Sequence, residues 1–297
     1  MQRSTRLALA AGLAALPAGA AWAVDLPPAP ELPAAGPAHD FSGFYLRGDV
    51  GVGFEPAPTL RVEPSPIASG LLSPYATQSF GNTSLSPSAM ADVGVGYQPN
   101  DWLRFDATLE YRGGARLKSA YALNDPAWPA FGGPLHYAAS VRGNVAALVG
   151  LLNGYVDLPG LWGLTPFVGA GVGFAVNALS GFSTDGVAYD AQGAVGASGG
   201  AFASGSQTNF ARALMAGLDY EIAPGVALEL SYRRLDLGKV ATGGFSCFLV
   251  GALGAALCSA GEPVLASRHA LASNDLRLGL IWTLGEDAAP PPILARD

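Results

Sequence analysis

The sequence of 297 residues predicts an all-β fold: an eight-stranded antiparallel up-and-down transmembrane β-barrel with short periplasmic turns and four long external loops. Three observations lead there. The chain is half hydrophobic and only 13% charged, yet no apolar run reaches the ~20 residues a membrane-spanning helix needs. Eight stretches alternate polar and apolar side chains with period two. The connections between them alternate short and long, the pattern of tight periplasmic turns and long external loops.

The N-terminus reads as an export address. Arg3 and Arg6 form a positive region, Leu7 to Leu16 an apolar one, and Ala21-Trp22-Ala23 offers the small residues a signal peptidase requires. Residues 1–23 are thus expected to be a signal peptide. The alternative is a retained anchor, for which the apolar stretch is short. Residues 24–40 (VDLPPAPELPAAGPAHD) form a Pro/Ala-rich periplasmic lead-in, 41–284 the outer-membrane barrel, and 285–297 a periplasmic tail. Forty glycines and 23 prolines spread along the chain would break helices repeatedly. Hydrocarbon admits only helices or closed barrels, because every backbone donor and acceptor must be paired internally.

The strands follow in order. Phe44 to Phe54 sets Phe44, Leu46, Val50 and Val52 outward against Tyr45, Arg47, Asp49 and Gly51. Met90 to Gln98 sets Ala91, Val93, Val95 and Tyr97 against Asp92, Gly94, Gly96 and Gln98. Trp102 to Arg112 alternates most clearly, with Leu103, Phe105, Ala107, Leu109 and Tyr111 opposing Arg104, Asp106, Thr108, Glu110 and Arg112. Ala139 to Tyr155 is read with Val141, Val145, Val149 and Leu151 outward and Ser140, Arg142 and Asn144 inward. Thr165 to Val176 places Val168, Ala170, Val172 and Phe174 outside and Gly169, Gly171 and Gly173 inside. Phe210 to Glu221 turns Leu214, Ala216, Leu218 and Tyr220 outward, with Arg212 on the same face. Val226 to Arg233 opposes Leu228, Leu230 and Tyr232 to Glu229, Ser231 and Arg233. Asn274 to Leu284 opposes Leu276, Leu278, Leu280 and Trp282 to Asp275 and Arg277.

Ten residues at ~3.3 Å each, tilted by ~40°, rise ~25 Å, the height of an outer-membrane apolar band. Phe44, Phe54, Tyr97, Trp102, Tyr111, Tyr155, Tyr220, Tyr232 and Trp282 fall at strand ends, where interfacial girdles sit. The external loops are then Glu55 to Ala89, Gly113 to Ala138, Asn177 to Asn209 and Leu237 to Ala272; a hairpin in the last would make ten strands.

The inward positions define a lumen charge network of Arg47, Asp49, Asp92, Arg104, Asp106, Glu110, Arg112, Arg142, Asp219, Glu229, Arg233, Asp275 and Arg277. Six cations against seven anions suit a plug of ion pairs, since an eight-stranded barrel is just wide enough for its own side chains and unpaired buried charge is costly. The glycines of Gly48 to Gly53 and Gly169 to Gly173 recur at period two, which makes room on one face and lacks the strand–turn–helix context of a nucleotide loop. Net charge is −7, or −9 once Arg3 and Arg6 are removed, and nucleic acid is excluded as a partner. Cys247 and Cys258 are expected to form a disulfide closing the last loop; no metal or cofactor is expected, for want of further ligands nearby. The loop stretch Phe245 to Gly261 is read as a cap over the barrel mouth, or alternatively as an adhesive patch.

Phe41-Ser42-Gly43-Phe44-Tyr45-Leu46-Arg47-Gly48-Asp49-Val50-Gly51 and the closing Ser273 to Leu280 resemble the first and last strands of a known family. It is the alphaproteobacterial porin-like outer-membrane β-barrel family, the superfamily of opacity-like and related surface proteins. The resemblance implies envelope integrity and surface interactions, with no catalytic residues. One departure is that such barrels close on a terminal aromatic, whereas this chain continues to Asp297, so its insertion signal would be internal, at Trp282 to Leu284.

The expected function is therefore non-enzymatic, located in the bacterial cell outer membrane and exercised through the loops. The alternatives are a small passive pore, or a rim hydrolase or acyltransferase acting on lipid A through His136 with Ser140 or His269 with Ser267. Expected partners are outer-membrane lipid, lipopolysaccharide, the barrel assembly machinery for insertion, and an extracellular partner that the residues do not name. The intact mass of protein purified from envelopes should correspond to Val24–Asp297; a mass retaining Met1 would contradict the cleavage site.

Overall fold

Closure around eight strands decides the architecture, and period-two alternation on every strand makes closure possible. The computed structural model describes residues 43–63, 73–128, 133–160, 162–191, 193–249, 264–267 and 269–284. The predicted signal peptide, lead-in and C-terminal tail lie outside them. The described residues form thirteen strands: β1 (Gly43–Phe54), β2 (Leu60–Glu63), β3 (Thr77–Leu85), β4 (Ser88–Asn100), β5 (Leu103–Trp128), β6 (Gly133–Asp157), β7 (Leu164–Asp190), β8 (Gly193–Phe202), β9 (Gly205–Ala223), β10 (Val226–Gly238), β11 (Ala241–Leu249), β12 (Val264–Ser267) and β13 (Leu271–Thr283). No described helix is long and apolar enough to cross a membrane.

Eight of the strands close a ring in the order β1-β4-β5-β6-β7-β9-β10-β13, with β13 returning antiparallel to β1. These are the eight expected strands. Closure leaves no lipid-facing edge, so each ring strand finds a partner on both sides. The short turns lie at one end: Asp101–Trp102, 158–163 and Pro224–Gly225. At that end Leu284 N–H also donates to the Phe44 carbonyl (2.7 Å), tying the last ring strand to the first.

At the other end the connections are not the loops expected from the sequence. β5, β6 and β7 run on to 26, 25 and 27 residues, about twice the length of β1, β4, β10 and β13. Their upper halves join a second wall, ordered β3-β5-β6-β7-β8-β11-β12-β2. The change of partner is local. β5 leaves β4 at Gly113 and takes β3 at Leu117, across a bulge where Gly114 has φ +81°. β7 leaves β9 at Leu179 and takes β8 at Ser183, across Gly181 at φ +61°. Left-handed backbone at a bulge favours glycine, and the extra residue bends the strand into the upper wall. β11 and β12 belong to this wall, so the ring holds eight strands and not ten. Cys247 lies in β11 opposite Gly200; Cys258 lies outside the described residues, and so does the expected disulfide.

The ring's faces follow the alternation, with one correction. On β6, Val141, Val145, Val149 and Leu151 are buried inside while Arg142, Asn144, Leu148 and Leu152 face out, the reverse of the expected phase. Leu148-Val149 and Leu151-Leu152 put an apolar side chain on both faces, so alternation could not phase this strand. Asn153, Tyr155 and Asp157 phase it instead, by pointing at inward partners. Tyr155 is consequently a lumen residue at 1% exposure and not a girdle residue; the other eight girdle aromatics are exposed. Outside the ring lies a belt of uncovered Leu, Val and Phe, such as Leu46, Val93, Val95, Leu109, Leu152, Val172, Leu214, Leu230 and Leu278. An apolar belt on a closed ring is what a lipid-spanning barrel presents, and the architecture is that of a bacterial outer-membrane barrel.

The corrected phase of β6 is testable by urea unfolding from lipid vesicles. Leu152→Arg should destabilise the protein by about 2–4 kcal/mol, as a cation on the lipid face does near the midplane. Arg142→Ala should leave stability unresolved from wild type; the opposite ranking would restore the original phase.

Candidate functional site

Among the described residues, the lumen gathers most of the buried ionisable groups. The inward residues of β1, β4, β5, β6, β9, β10 and β13 deliver five buried arginines and nine buried carboxylates, counting Glu55 just past β1. At the short-turn end, Arg104 pairs with Asp157 (2.8 Å) and Asp219 (2.7 Å), its guanidinium 5.3 Å from the Tyr155 ring centroid and 5.2 Å from that of Phe167. Above it Arg47 reaches Asp49 (2.8 Å), Asp106 (2.9 Å) and Glu229 (2.9 Å), and donates to the Tyr155 hydroxyl (3.0 Å). Asp106 also accepts from Asn153 (2.7 Å) and from the Tyr45 hydroxyl (3.2 Å). Arg277 bridges Asp49 (3.1 Å) and Asp92 (2.6 Å), which stand directly opposite each other on β1 and β4. Highest, Arg233 pairs with Glu110 and with Asp275 (2.7 Å), and Arg112 with Glu110 (2.9 Å), Asp275 (2.9 Å) and Glu55 (3.0 Å).

Arginine suits this arrangement because its rigid fork of five donors can serve two or three carboxylates at once. Small inward residues make the room. A Cβ on Gly96 would sit 2.1 Å from the Tyr45 ring, and one on Gly279 would sit 2.2 Å from the Asp49 carboxylate. One oxygen each of Asp92, Asp219 and Glu229 finds no donor among the described residues.

Twelve of the thirteen predicted network residues are placed in the lumen. Arg142 is not: it lies on the outer surface of β6 and pairs with Asp185, both more than half exposed. Two carboxylates were missed. Glu55 continues the inward phase of Asp49, Gly51 and Gly53 past the end of β1, and Asp157 continues that of Asn153 and Tyr155, so each had a signal in its spacing. The expected near balance of six cations and seven anions is thus corrected to five and nine.

Above the charges the filling turns apolar. Ala115, Leu117, Val141, Val145, Leu179, Phe182, Phe202, Leu235, Leu237 and Leu265 belong to one buried cluster that fills the ring's top and the upper wall, and the cluster continues down the lumen beside the ion pairs through Leu151, Tyr155, Phe167 and Met215. A small cavity lies where the two fillings meet, lined by Glu55, Ser88, Arg112, Ala147, Asn177 and Leu237. In the upper wall Asp125 clasps the segment entering β3. Burial pushes its carboxyl up, but the Ser73 hydroxyl and amide and the Ala127 amide donate to it and hold it below the usual carboxylate range.

The structure does not bring together the histidine–serine pairs considered for hydrolysis. His136 meets Asn124 through Nδ1 (2.7 Å), and Ser140 is four residues along the same strand, ~13 Å away at strand rise. Ser267 is buried and accepts from Val240 N–H (3.1 Å), while His269 is exposed.

No family model matches the chain. An uncharacterized protein of Brucella abortus (strain 2308) is 32% identical over 207 residues, covering 65% of this chain and 68% of that protein. A "Putative adhesin" of Rickettsia massiliae (strain Mtu5) is 34% identical over 156 residues, 50% of this chain and 58% of that protein. Among solved structures, OprG from Pseudomonas aeruginosa covers 82% of this chain and 98% of its own at 10% identity and TM-score 0.41. Neisserial surface protein A covers 82% and 97% at 14% identity and TM-score 0.36.

Breaking the network from one side should be costly, since a buried charge loses its partner. Arg233→Met is expected to lower unfolding free energy by about 3–5 kcal/mol. Arg212→Met, which breaks the exposed pair with Asp236, should cost no more than about 1 kcal/mol. Equal losses in a denaturant titration would show that the lumen pairs behave like surface pairs.

Proposed function

The chain belongs to the same family as the uncharacterized Brucella abortus protein, and from that premise we propose that it is a non-enzymatic outer-membrane surface barrel that strengthens the envelope and presents its upper wall to partners outside the cell. The observation that carries this reading is the filling of the lumen by ion pairs below and apolar side chains above. A water path would have to run through both, so diffusion is disfavoured. The long β5–β6 and β7–β8 hairpins supply an ordered surface rather than loose loops, and an ordered surface loses less entropy when a partner binds. The name of the rickettsial relative is in keeping with an adhesive role. The opacity-like kinship read from the first and last strands, and the cap or adhesive patch read between Cys247 and Cys258, belong to the same proposal.

Reconstitution into planar bilayers tests it. The refolded protein should give no conductance steps, or rare small ones, and His136→Ala and His269→Ala should release no more and no less acyl chain from lipid A than wild type. Large reproducible steps would make the lumen a pore, and acyl cleavage lost in either variant would make the rim an enzyme.

A further inference from the structure

The outward-facing cations are distributed unevenly about the belt. At the short-turn rim the exposed charges among the described residues are the acids Asp101 and Glu221. Toward the upper end stand Arg116 and Lys118 on β5, Arg142 on β6, Arg212 on β9, Arg234 on β10 with Lys239 just past it, and Arg61 on β2. Arg212 is tied to Asp236 and Arg234 to Asn274. The β5–β6 group is different. Lys118 lies directly opposite Arg142 in register, Arg116 lies opposite Asn144, and Asp185 is the one acid among the described residues bound to the group. The Arg116 amide donates to the Ser86 hydroxyl (2.8 Å), but among the described residues neither the Arg116 guanidinium nor the Lys118 ammonium makes an ion pair or hydrogen bond.

Like charges directly across a strand pair destabilise it. A chain of strongly negative net charge that sets three of its few cations side by side, on an outer surface, has built a site for an anion. Hydroxyl donors flank it, from Ser84 opposite Lys118 and Ser183 opposite Arg142. Arg116 and Lys118 follow the outward aromatic Tyr111 by five and seven residues, roughly 10–18 Å higher at strand rise and tilt. That is clear of the acyl chains and at or beyond the ~5–8 Å depth of a phospholipid headgroup layer, where only the headgroup of a glycolipid projects. Given the outward orientation of the upper wall adopted above, the leaflet at this height is the outer one.

We propose that Arg116, Lys118 and Arg142 bind phosphate groups on the headgroup of the outer-leaflet glycolipid, lipopolysaccharide. The lipid then bridges the like-charged pair that the free protein leaves opposed, and anchors the upper wall to the membrane surface. The reading rests on the wall facing outward, and that premise can fail separately.

The test uses the full refolded barrel in detergent micelles, where orientation plays no part. Purified lipopolysaccharide should raise the temperature at which the heat-modifiable band unfolds, and its dephosphorylated form should not. The variant R116Q/K118Q/R142Q should lose at least about tenfold in affinity, while R116K/K118R/R142K keeps it. Affinity within twofold of wild type in the glutamine variant would overturn the proposal, as would equal binding of dephosphorylated lipid or an equal shift with inorganic phosphate alone. If the glutamine variant does not refold, the dephosphorylated lipid on the native chain decides by itself. Orientation is read apart, from an Asp101→Cys variant that also carries Cys247→Ser and Cys258→Ser, in intact cells: labelling by an impermeant maleimide would overturn the outward premise, and protection supports it.

Discussion

Hydrocarbon offers a backbone no hydrogen-bond partner, and the rest of this molecule follows from that constraint. It forces the β1–β13 pairing that closes the ring, from Tyr45 opposite Thr283 to Phe54 opposite Asn274. Once the ring is closed, each strand has one lipid face and one lumen face. At the level of the lipid belt the charged residues then have a single place to go. Arg47, Arg104, Arg112, Arg233 and Arg277 fill the lumen because no other inward volume exists, and their carboxylate partners follow.

The two fillings of the interior divide labour along the barrel axis. Ion pairs occupy the level of the belt, where they lock neighbouring and distant strands together: Arg233 on β10 reaches Glu110 on β5 and Asp275 on β13. Apolar side chains occupy the top, where the wall rises clear of the ring and needs a core of its own. The upper wall is in effect a second β-domain built on three shared strands. Its ordered hairpins are what a surface partner would meet, and its base carries the basic group on β5 and β6.

Most of the ring was legible from period-two alternation. On β1, β5 and β13 the inward charges fall on one alternating set of positions, as in Arg104, Asp106, Glu110 and Arg112, and this pattern has one lipid-compatible solution. Where both faces are apolar the pattern is silent. On β6 it misassigned Val141 through Leu151 and carried Arg142 into the lumen, because Leu148, Val149, Leu151 and Leu152 satisfy either phase. The upper wall was passed over for a different reason. Ala115, Leu117, Ser119 and Leu123 do alternate with Arg116, Lys118 and Ala120, but beyond the belt nothing in the chain says that a strand should continue.

The amino-acid sequence by itself located the eight ring strands, the face of seven of them, twelve lumen charges and which end carries the short turns, and left a ten-strand ring open. These are local properties, set by side-chain polarity against a medium of known thickness. Only the tertiary structure decided the phase of β6, the admission of Glu55 and Asp157 to the network, and the partner exchange at Gly114 and Gly181 that raises the upper wall. Each depends on which strand lies alongside, and a residue's neighbours across a sheet are chosen by closure and packing rather than by the residues beside it in the chain.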